Sequence, residues 1–143
     1  MRGYLLDTNV ISELKRSRPD SGVIEWFQDK QTSELYLASM TIAELMRGAH
    51  KLTDTVRKQF FLDWIDNTVI VQFDRRILSF DNAAAREWGL LMGLNDARGE
   101  TLPSADAQIA AIARVNQLHI VSRNVKDFRR MLDTVIDPFA QSV

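Results

Sequence analysis

The stretch YLLDTNVISEL, residues 4–14, places a carboxylate directly after a short apolar segment. Tyr4–Leu6 have the composition of a buried strand, and the apolar pattern resumes at Val10 with helical spacing. Asp7 stands between them, where an ionised side chain at the end of a core strand is unfavourable unless something compensates it. Asp is also a favoured N-cap residue, so helix capping is the simplest explanation. Which explanation applies depends on the other acidic residues.

The composition is that of an ordinary globular domain. The chain has 143 residues, of which 45% are hydrophobic and 26% charged, and its formal net charge is −1. This length predicts a single domain over residues 1–143 that buries roughly 70% of its unfolded surface. The absence of Cys excludes disulfides, and two scattered His make a histidine-based zinc site a poor fit. Any metal would therefore be a hard cation with oxygen ligands.

The hydropathy pattern predicts a cytoplasmic protein with no membrane association. No apolar run approaches the ~20 residues that cross a bilayer. The apolar stretch at the start of the chain stops at Asp7, which is too early for a signal peptide.

Short apolar segments alternate with helical patterns along the chain. The predicted strands are Tyr4–Leu6, Leu35–Ala38, Ile77–Phe80 and His119–Ser122, with a weaker one at Val135–Ile136. Predicted helices follow Thr8, span Ser21–Asp29, and begin near Thr41, Thr55, Asp81, Ser104 and Asn124. This alternation predicts an α/β fold, with a parallel sheet that carries helices on its faces.

Acidic residues recur where such a fold binds ligands, beyond the carboxyl ends of the strands. Asp7 follows the first predicted strand, and Glu44 lies in the first turn predicted after the second. Asp106 lies in the first turn of the helix SADAQIAAIARVNQ, and Asp127 follows the strand LHIVS. Folding would gather four carboxylates that are far apart in the sequence.

Each of these acids also has a local structural explanation. The segment TIAE at 41–44 has the pattern of a capping box, and NVKD at 124–127 resembles a related N-cap. Ser104 followed by Asp106 makes a good helix start, because a carboxylate in the first turn favours the helix dipole.

Asp106 is the hardest of the acids to explain by capping. On a helical wheel it lies in line with Ile109, Ala110 and Ala113, in the middle of the inward stripe. An ionised carboxylate that faces a core must be paired, protonated or bound to metal, and Asp7 has the same problem. Adjacent carboxylates repel and raise one another's pKa values, and a divalent cation such as Mg²⁺ or Mn²⁺ relieves that repulsion. Such an ion activates water and stabilises charge on a phosphoryl oxygen.

Three other features allow more than one interpretation. Basic clusters such as Lys15-Arg16-Ser17-Arg18 and Arg57-Lys58 can steer a phosphate backbone, although each, taken singly, is better explained as solvated surface. The segment TVRKQFFLDWI, residues 55–65, is apolar on more than one face, which indicates deep burial or a subunit interface. Gly89 and Gly93 share a helix face, which predicts close helix packing.

Four segments, in this order, resemble the PIN-domain nucleases: LLDTNVISEL, ASMTIAELMRGA, PSADAQIAAIA and IVSRNVKDF. The likeness is strongest to the VapC/FitB-like toxins of bacterial type II toxin–antitoxin systems and covers nearly the whole chain. It implies an α/β/α sandwich around a short, mainly parallel sheet. It also implies a Mg²⁺- or Mn²⁺-dependent endoribonuclease that forms a homodimer. A cognate antitoxin would inhibit it and supply the contact with operator DNA.

The resemblance places the acidic cluster at Asp7, Glu44 and Asp106. Asp7 and Asp106 would hold the ion directly, and Glu44 would complete the shell or orient the attacking water. Many relatives carry a fourth acid where this chain has Asn124, and Asp127 one turn further on is expected to supply that charge. The supporting residues expected around the cluster are Thr8, Asn9, Ser104 and Asn124.

Three other functions compete with this interpretation. A phosphatase of the haloacid dehalogenase type needs a second Asp two residues after its nucleophile, and this chain has Asn9 there. A phosphoacceptor receiver domain needs an acidic pair near the end of the first strand, which is absent from the sequence. A non-catalytic partner of the antitoxin in operon repression would keep the fold without cleaving RNA. Loss of RNA cleavage in Asp106→Asn would distinguish the enzyme from this binding module.

Overall fold

The apolar segment at residues 4–6 becomes the central strand of a five-stranded sheet. In the computed structural model, which describes residues 3–140, the strands are β1 (Tyr4–Leu6), β2 (Leu35–Ala38), β3 (Ile77–Leu78), β4 (His119–Val121) and β5 (Val135–Ile136). Their order is β3-β2-β1-β4-β5, and each neighbouring pair is parallel. The predicted parallel sheet is therefore confirmed. Tyr4 lies opposite both Leu35 and His119, so the chain leaves β1, β2 and β4 at the same edge.

Helices fill the connections between the strands. They are α1 (Thr8–Leu14), α2 (Ser21–Gln28), α3 (Ser39–His50), α4 (Thr55–Trp64), α5 (Ile70–Phe73), α6 (Asn82–Ala97), α7 (Ser104–Val115) and α8 (Val125–Phe128). A π-helical turn, Ile65–Val69, joins α4 to α5. Asp20, Asp54 and Asp81 accept backbone N–H groups at the starts of α2, α4 and α6, which satisfies donors that the helices leave unpaired.

Two hydrophobic cores lie on opposite faces of the sheet. Successive strand residues point to opposite faces, so Leu5 packs in the core that contains α6 and α7, and Leu6 in the core that contains α1 to α4. Both leucines are fully buried. Burial on both faces explains why the parallel strands are short apolar runs without alternation, and it gives the predicted α/β/α sandwich.

The helix after β2 begins earlier than the sequence predicts. The chain passes from β2 directly into α3 at Ser39, with Ala38 as an N-cap that offers no side-chain oxygen. Thr41 is consequently inside the helix and fully buried, and Glu44 falls in the second turn. The capping-box explanation of residues 41–44 is therefore wrong.

Two predictions about helix packing are also resolved. In the segment at 55–65, Ile65 is fully buried, whereas Phe60 is 66% exposed, so this segment is only partly a core element. Gly89 and Gly93 have open space where a Cβ would lie, so close packing within this chain is not their role. None of the helices in residues 3–140 is long and apolar enough to cross a membrane.

Candidate active site

Asp7 occupies the junction between β1 and α1 and is 5% exposed. Its Oδ1 accepts the backbone N–H of Thr8 at 2.9 Å, so the predicted capping role is real. Its Oδ2 accepts the Ser122 hydroxyl at 2.7 Å and the Asn9 side-chain amide at 3.3 Å. Burial raises the pKa of Asp7, and the hydrogen bonds from Ser122 and Thr8 oppose that rise. Capping uses one oxygen, and the other oxygen is held by Ser122, which follows β4, and by Asn9 within α1.

Ser122 is the residue that ties β1 to β4 at this edge. Its buried hydroxyl donates to Asp7 and accepts both the Asn9 amide at 3.2 Å and the backbone N–H of Asn124 at 2.9 Å. Asn9 also accepts the backbone N–H of Arg123 at 3.1 Å. Sequence reasoning missed Ser122 as a supporting residue. The signal available was a hydroxyl residue that ends a buried strand, just as Asp7 follows one.

Asp106 enters the same site from α7. Pro103 is the N-cap of this helix, and Asp106 is half-buried in the first turn without capping it. Its Oδ2 accepts the side-chain amide of Asn124 at 2.8 Å. Burial, followed by the charges of Asp7 and Asp127, raises the pKa of Asp106 to about 6, against the opposing effect of the Asn124 hydrogen bond.

Glu44 approaches from α3, with its side chain exposed at the surface. Partial burial and the charges of Asp7 and Asp106 raise its pKa, while the Thr8 hydroxyl favours the charged form. That hydroxyl also lies 3.4 Å from the Thr41 Oγ1, which braces α1 against α3. The charges of Asp7 and Asp106 both act on Glu44, and that of Asp7 acts on Asp106, so the three carboxylates belong to one cluster.

The remaining predicted site residues take different positions. Asp127, half-buried in α8, lies close enough to influence Asp106, and Asn124 contacts Asp106 directly. Ser104 begins α7, and its carbonyl accepts the Trp88 indole N–H at 3.3 Å. No hydrogen bond within residues 3–140 joins the Ser104 side chain to the acidic cluster.

A profile of the family described as PIN domain matches residues 4–132. This chain belongs to the PIN-domain family. VapC ribonuclease Y4jK of Sinorhizobium fredii is 32% identical to it over 135 residues, covering 94% of this chain and 96% of the relative. Toxin FitB of Neisseria gonorrhoeae is 30% identical over 135 residues, covering 94% and 97%. The solved structure of FitAB bound to an IR36 DNA fragment has a TM-score of 0.88 and 28% identity, covering 98% of both chains.

These comparisons confirm the resemblance and the fold predicted from the sequence. The architecture is that of a PIN domain, and its neighbours among solved structures are toxin–antitoxin complexes of the VapBC and FitAB type. The extent of the domain over residues 1–143 stays a prediction.

The donor set of this PIN domain fits a hard divalent cation. Within the described residues no three acidic, imidazole or thiol side chains are arranged so that they could together hold a metal ion. Mg²⁺, however, typically takes one or two carboxylates and keeps several waters. Asp7 and Asp106 repel each other, and no Lys or Arg in residues 3–140 forms an ion pair with either. A cation would neutralise this repulsion.

Proposed function

We propose that this PIN domain is the toxin of a type II toxin–antitoxin system and hydrolyses RNA phosphodiester bonds. The observation that carries the proposal is the meeting of Asp7, Glu44 and Asp106 at the carboxyl edge of the sheet, where the Asp7 charge raises the pKa of both other acids. The names of the relatives, a VapC ribonuclease and the toxin FitB, support the same activity.

The proposed cofactor is Mg²⁺ or Mn²⁺, held by Asp7 and Asp106 with Glu44 as a third ligand, directly or through water. When bound, such an ion lowers the pKa of a water molecule and stabilises charge on a phosphoryl oxygen. In this proposal Glu44 would orient the attacking water. Asp127 adds a fourth negative charge beside Asp106, which suits a second-shell contact or a second ion.

The polar residues around the acids keep them in position. Ser122 and Thr8 fix the two oxygens of Asp7, and Asn9 links Asp7 to the end of β4. Asn124 holds Asp106 through its amide. This arrangement prepares the carboxylates before the substrate binds, so little reorganisation accompanies the reaction.

The proposed partners are an RNA substrate and a cognate antitoxin that inhibits the enzyme in the cytoplasm. Operator DNA would be contacted through the antitoxin, as suits a chain whose net charge is only −1. The DNA-bound structure of FitAB supports the proposal that DNA is contacted by the toxin–antitoxin complex. We also propose that the PIN domain acts as a homodimer.

The test is cleavage of a mixed RNA pool by protein purified free of antitoxin. The reaction would be run with Mg²⁺, Mn²⁺ or EDTA, beside Asp7→Asn and Asp106→Asn preparations purified identically. We expect metal-dependent cleavage that both variants lose. Cleavage shared by wild type and both variants would indicate a contaminant, and its absence in wild type would favour the non-catalytic partner in repression.

A further inference from the structure

An open cleft leads away from the acidic cluster between α1, α3 and α4. It is made of two cavities, of about 210 and 480 Å³, which both contact Lys15, Arg57 and Phe61. The smaller cavity also contacts Thr8 and Glu44, so the cleft begins at the acidic cluster. We call this feature the basic cleft.

Two of the three cations that line the basic cleft, Lys15 and Arg57, form no ion pair within residues 3–140, whereas the third, Arg16, pairs with Glu13 at 3.4 Å. The Lys15 Nζ lies 3.1 Å from the centroid of the Phe61 ring. Burial and the nearby Arg57 charge lower the pKa of Lys15. Two like charges that share a cleft without a counterion are stabilised by a bound anion.

An aromatic side chain stands at the rim of the same cleft. Phe60 is 66% exposed on α4 and lines the larger cavity, next to the two cations. Proteins that bind single-stranded nucleic acid combine a positive groove with exposed aromatic rings on which bases stack. Phe60 is such an exposed aromatic ring, and it lines the same cavity as Lys15 and Arg57.

We propose that the basic cleft binds a single-stranded RNA segment adjacent to the scissile phosphate. Lys15 and Arg57 contact backbone phosphates, and Phe60 stacks on a base. This inference rests on the proposed ribonuclease function and adds which residues hold the substrate. Thr8 is the first residue of the 7-residue helix α1 and Lys15 directly follows its last, so their backbones lie about 10 Å apart along the helix axis at 1.5 Å per residue. The phosphate at Lys15 therefore belongs to a neighbouring nucleotide.

The position of the cleft favours RNA over an acidic peptide. An acidic segment would satisfy Lys15 and Arg57, but the cleft ends at the carboxylate of Glu44, which repels further acidic side chains and is itself close enough to Asp7 to be affected by its charge. An RNA strand that reaches the same carboxylates presents the phosphodiester that the cation there would bind. Stacking on Phe60 requires an unpaired base, so duplex RNA should bind less well.

The test measures RNA binding in the Asp106→Asn background, in which cleavage is expected to be lost. Fluorescence anisotropy would follow a short labelled single-stranded RNA, and the same sequence as a duplex, at several salt concentrations. Lys15→Gln with Arg57→Gln should weaken single-strand binding and flatten the log–log salt slope by about 1.4, or 0.7 per phosphate contact. Phe60→Ala should raise the Kd by about 5- to 150-fold.

Exposed residues outside the cleft provide matched controls. Arg75→Gln with Arg98→Gln removes two cations, and Val71→Ala removes apolar surface that is 65% exposed. Both controls should leave the Kd and the salt slope unchanged. Circular dichroism checks folding, and Arg57→Gln alone serves if the loss of Lys15 disturbs α1.

The possible outcomes separate this inference from the proposed function. If wild type cleaves RNA in a metal-dependent manner but the cleft variants bind RNA like the controls, the proposed RNA-binding role of the cleft is wrong and the proposed ribonuclease function stands. If the cleft variants keep their RNA affinity but no longer co-purify with the cognate antitoxin, the RNA-binding role is also wrong, and the cleft binds the antitoxin instead. RNA binding that depends on the cleft, without cleavage by wild type, would support the cleft and contradict the ribonuclease.

Discussion

At the scale of single residues, Asp7 combines a structural and a chemical role. One oxygen caps α1 through Thr8, while the other is held by Ser122 and Asn9. A cap alone requires neither burial nor a partner on another strand. The second set of contacts is what a ligand to a cation needs, because it fixes the direction of the carboxylate.

Glu44→Gln tests whether the charge on α3 matters. Since Glu44 does not cap α3, replacing its carboxylate by an amide removes the charge without disturbing the start of that helix. We expect RNA cleavage to fall about 100-fold or more, with an unchanged melting temperature by circular dichroism. Glu25→Gln, at an exposed position of α2, is the control. Retained cleavage in Glu44→Gln would remove Glu44 from the site.

Ser122→Ala tests the connection between β1 and β4. The change removes one of the two donors to the Asp7 Oδ2, so that the Asn9 amide alone remains there, and it removes an acceptor of two N–H groups. We expect a loss of about 1–3 kcal/mol in the free energy of unfolding and cleavage reduced about 10- to 100-fold. Chemical denaturation and RNA cleavage are the measurements, with exposed Ser79→Ala as control. Full activity in Ser122→Ala would show that Asp7 needs no such support.

The local sequence pattern was sufficient to identify the acidic residues of the site, but not all of the polar residues that hold them in position. Asp7 and Asp106 stood out because a charge interrupts an apolar strand or an inward helix stripe. Ser122 did not, because its role depends on β1 pairing with β4, which are far apart in sequence. Asn124 was predicted to support the site, and its contact with Asp106 follows from the packing of α8 near α7.

At the scale of elements, the π-helical turn explains the mixed character of the segment at 55–65. The turn places Ile65 and Val69 in the core, while Phe60 on α4 stays exposed. A π turn inserts an extra residue into a helix and changes which face points inward. Neither this insertion nor the early start of α3 has a signal in helical periodicity, so the sequence could not predict them.

Ile65→Ala tests the packing of this turn. The side chain is fully buried, so its truncation should leave a cavity and lower the free energy of unfolding by about 2–5 kcal/mol. Val71→Ala, at a 65% exposed position, should change it by less than about 0.5 kcal/mol. Urea unfolding measures both. Equal effects of the two changes would mean that the turn does not pack as described.

At the scale of the whole molecule, the fold brings together charges that oppose folding when no cation is bound. The pKa of Asp106 is raised from 3.8 to about 6 in the folded protein. A raised pKa favours the folded state at low pH, and this contribution is lost as pH rises through the folded value. The metal-free protein should therefore lose stability between pH 4 and pH 6.

Asp106→Asn should remove that loss and keep the acceptor for Asn124. In EDTA at neutral pH, the variant should be more stable than wild type by about 1 kcal/mol after allowance for solvent screening, or about 3 °C in Tm. Below pH 4 the difference should vanish, and Mg²⁺ should stabilise wild type alone. Thermal unfolding across pH checks this, with exposed Asp96→Asn as control. A variant less stable than wild type at neutral pH would contradict the repulsion.

The most direct test of the central claim measures Mn²⁺ occupancy and RNA cleavage in the same samples. Electron paramagnetic resonance reports bound Mn²⁺ while cleavage is followed during a titration. We predict that cleavage rises in proportion to occupancy in wild type, and that Asp7→Asn and Asp106→Asn lose both. Cleavage that persists without bound Mn²⁺, or tight Mn²⁺ binding by both variants, would contradict a metal-dependent ribonuclease built on these carboxylates.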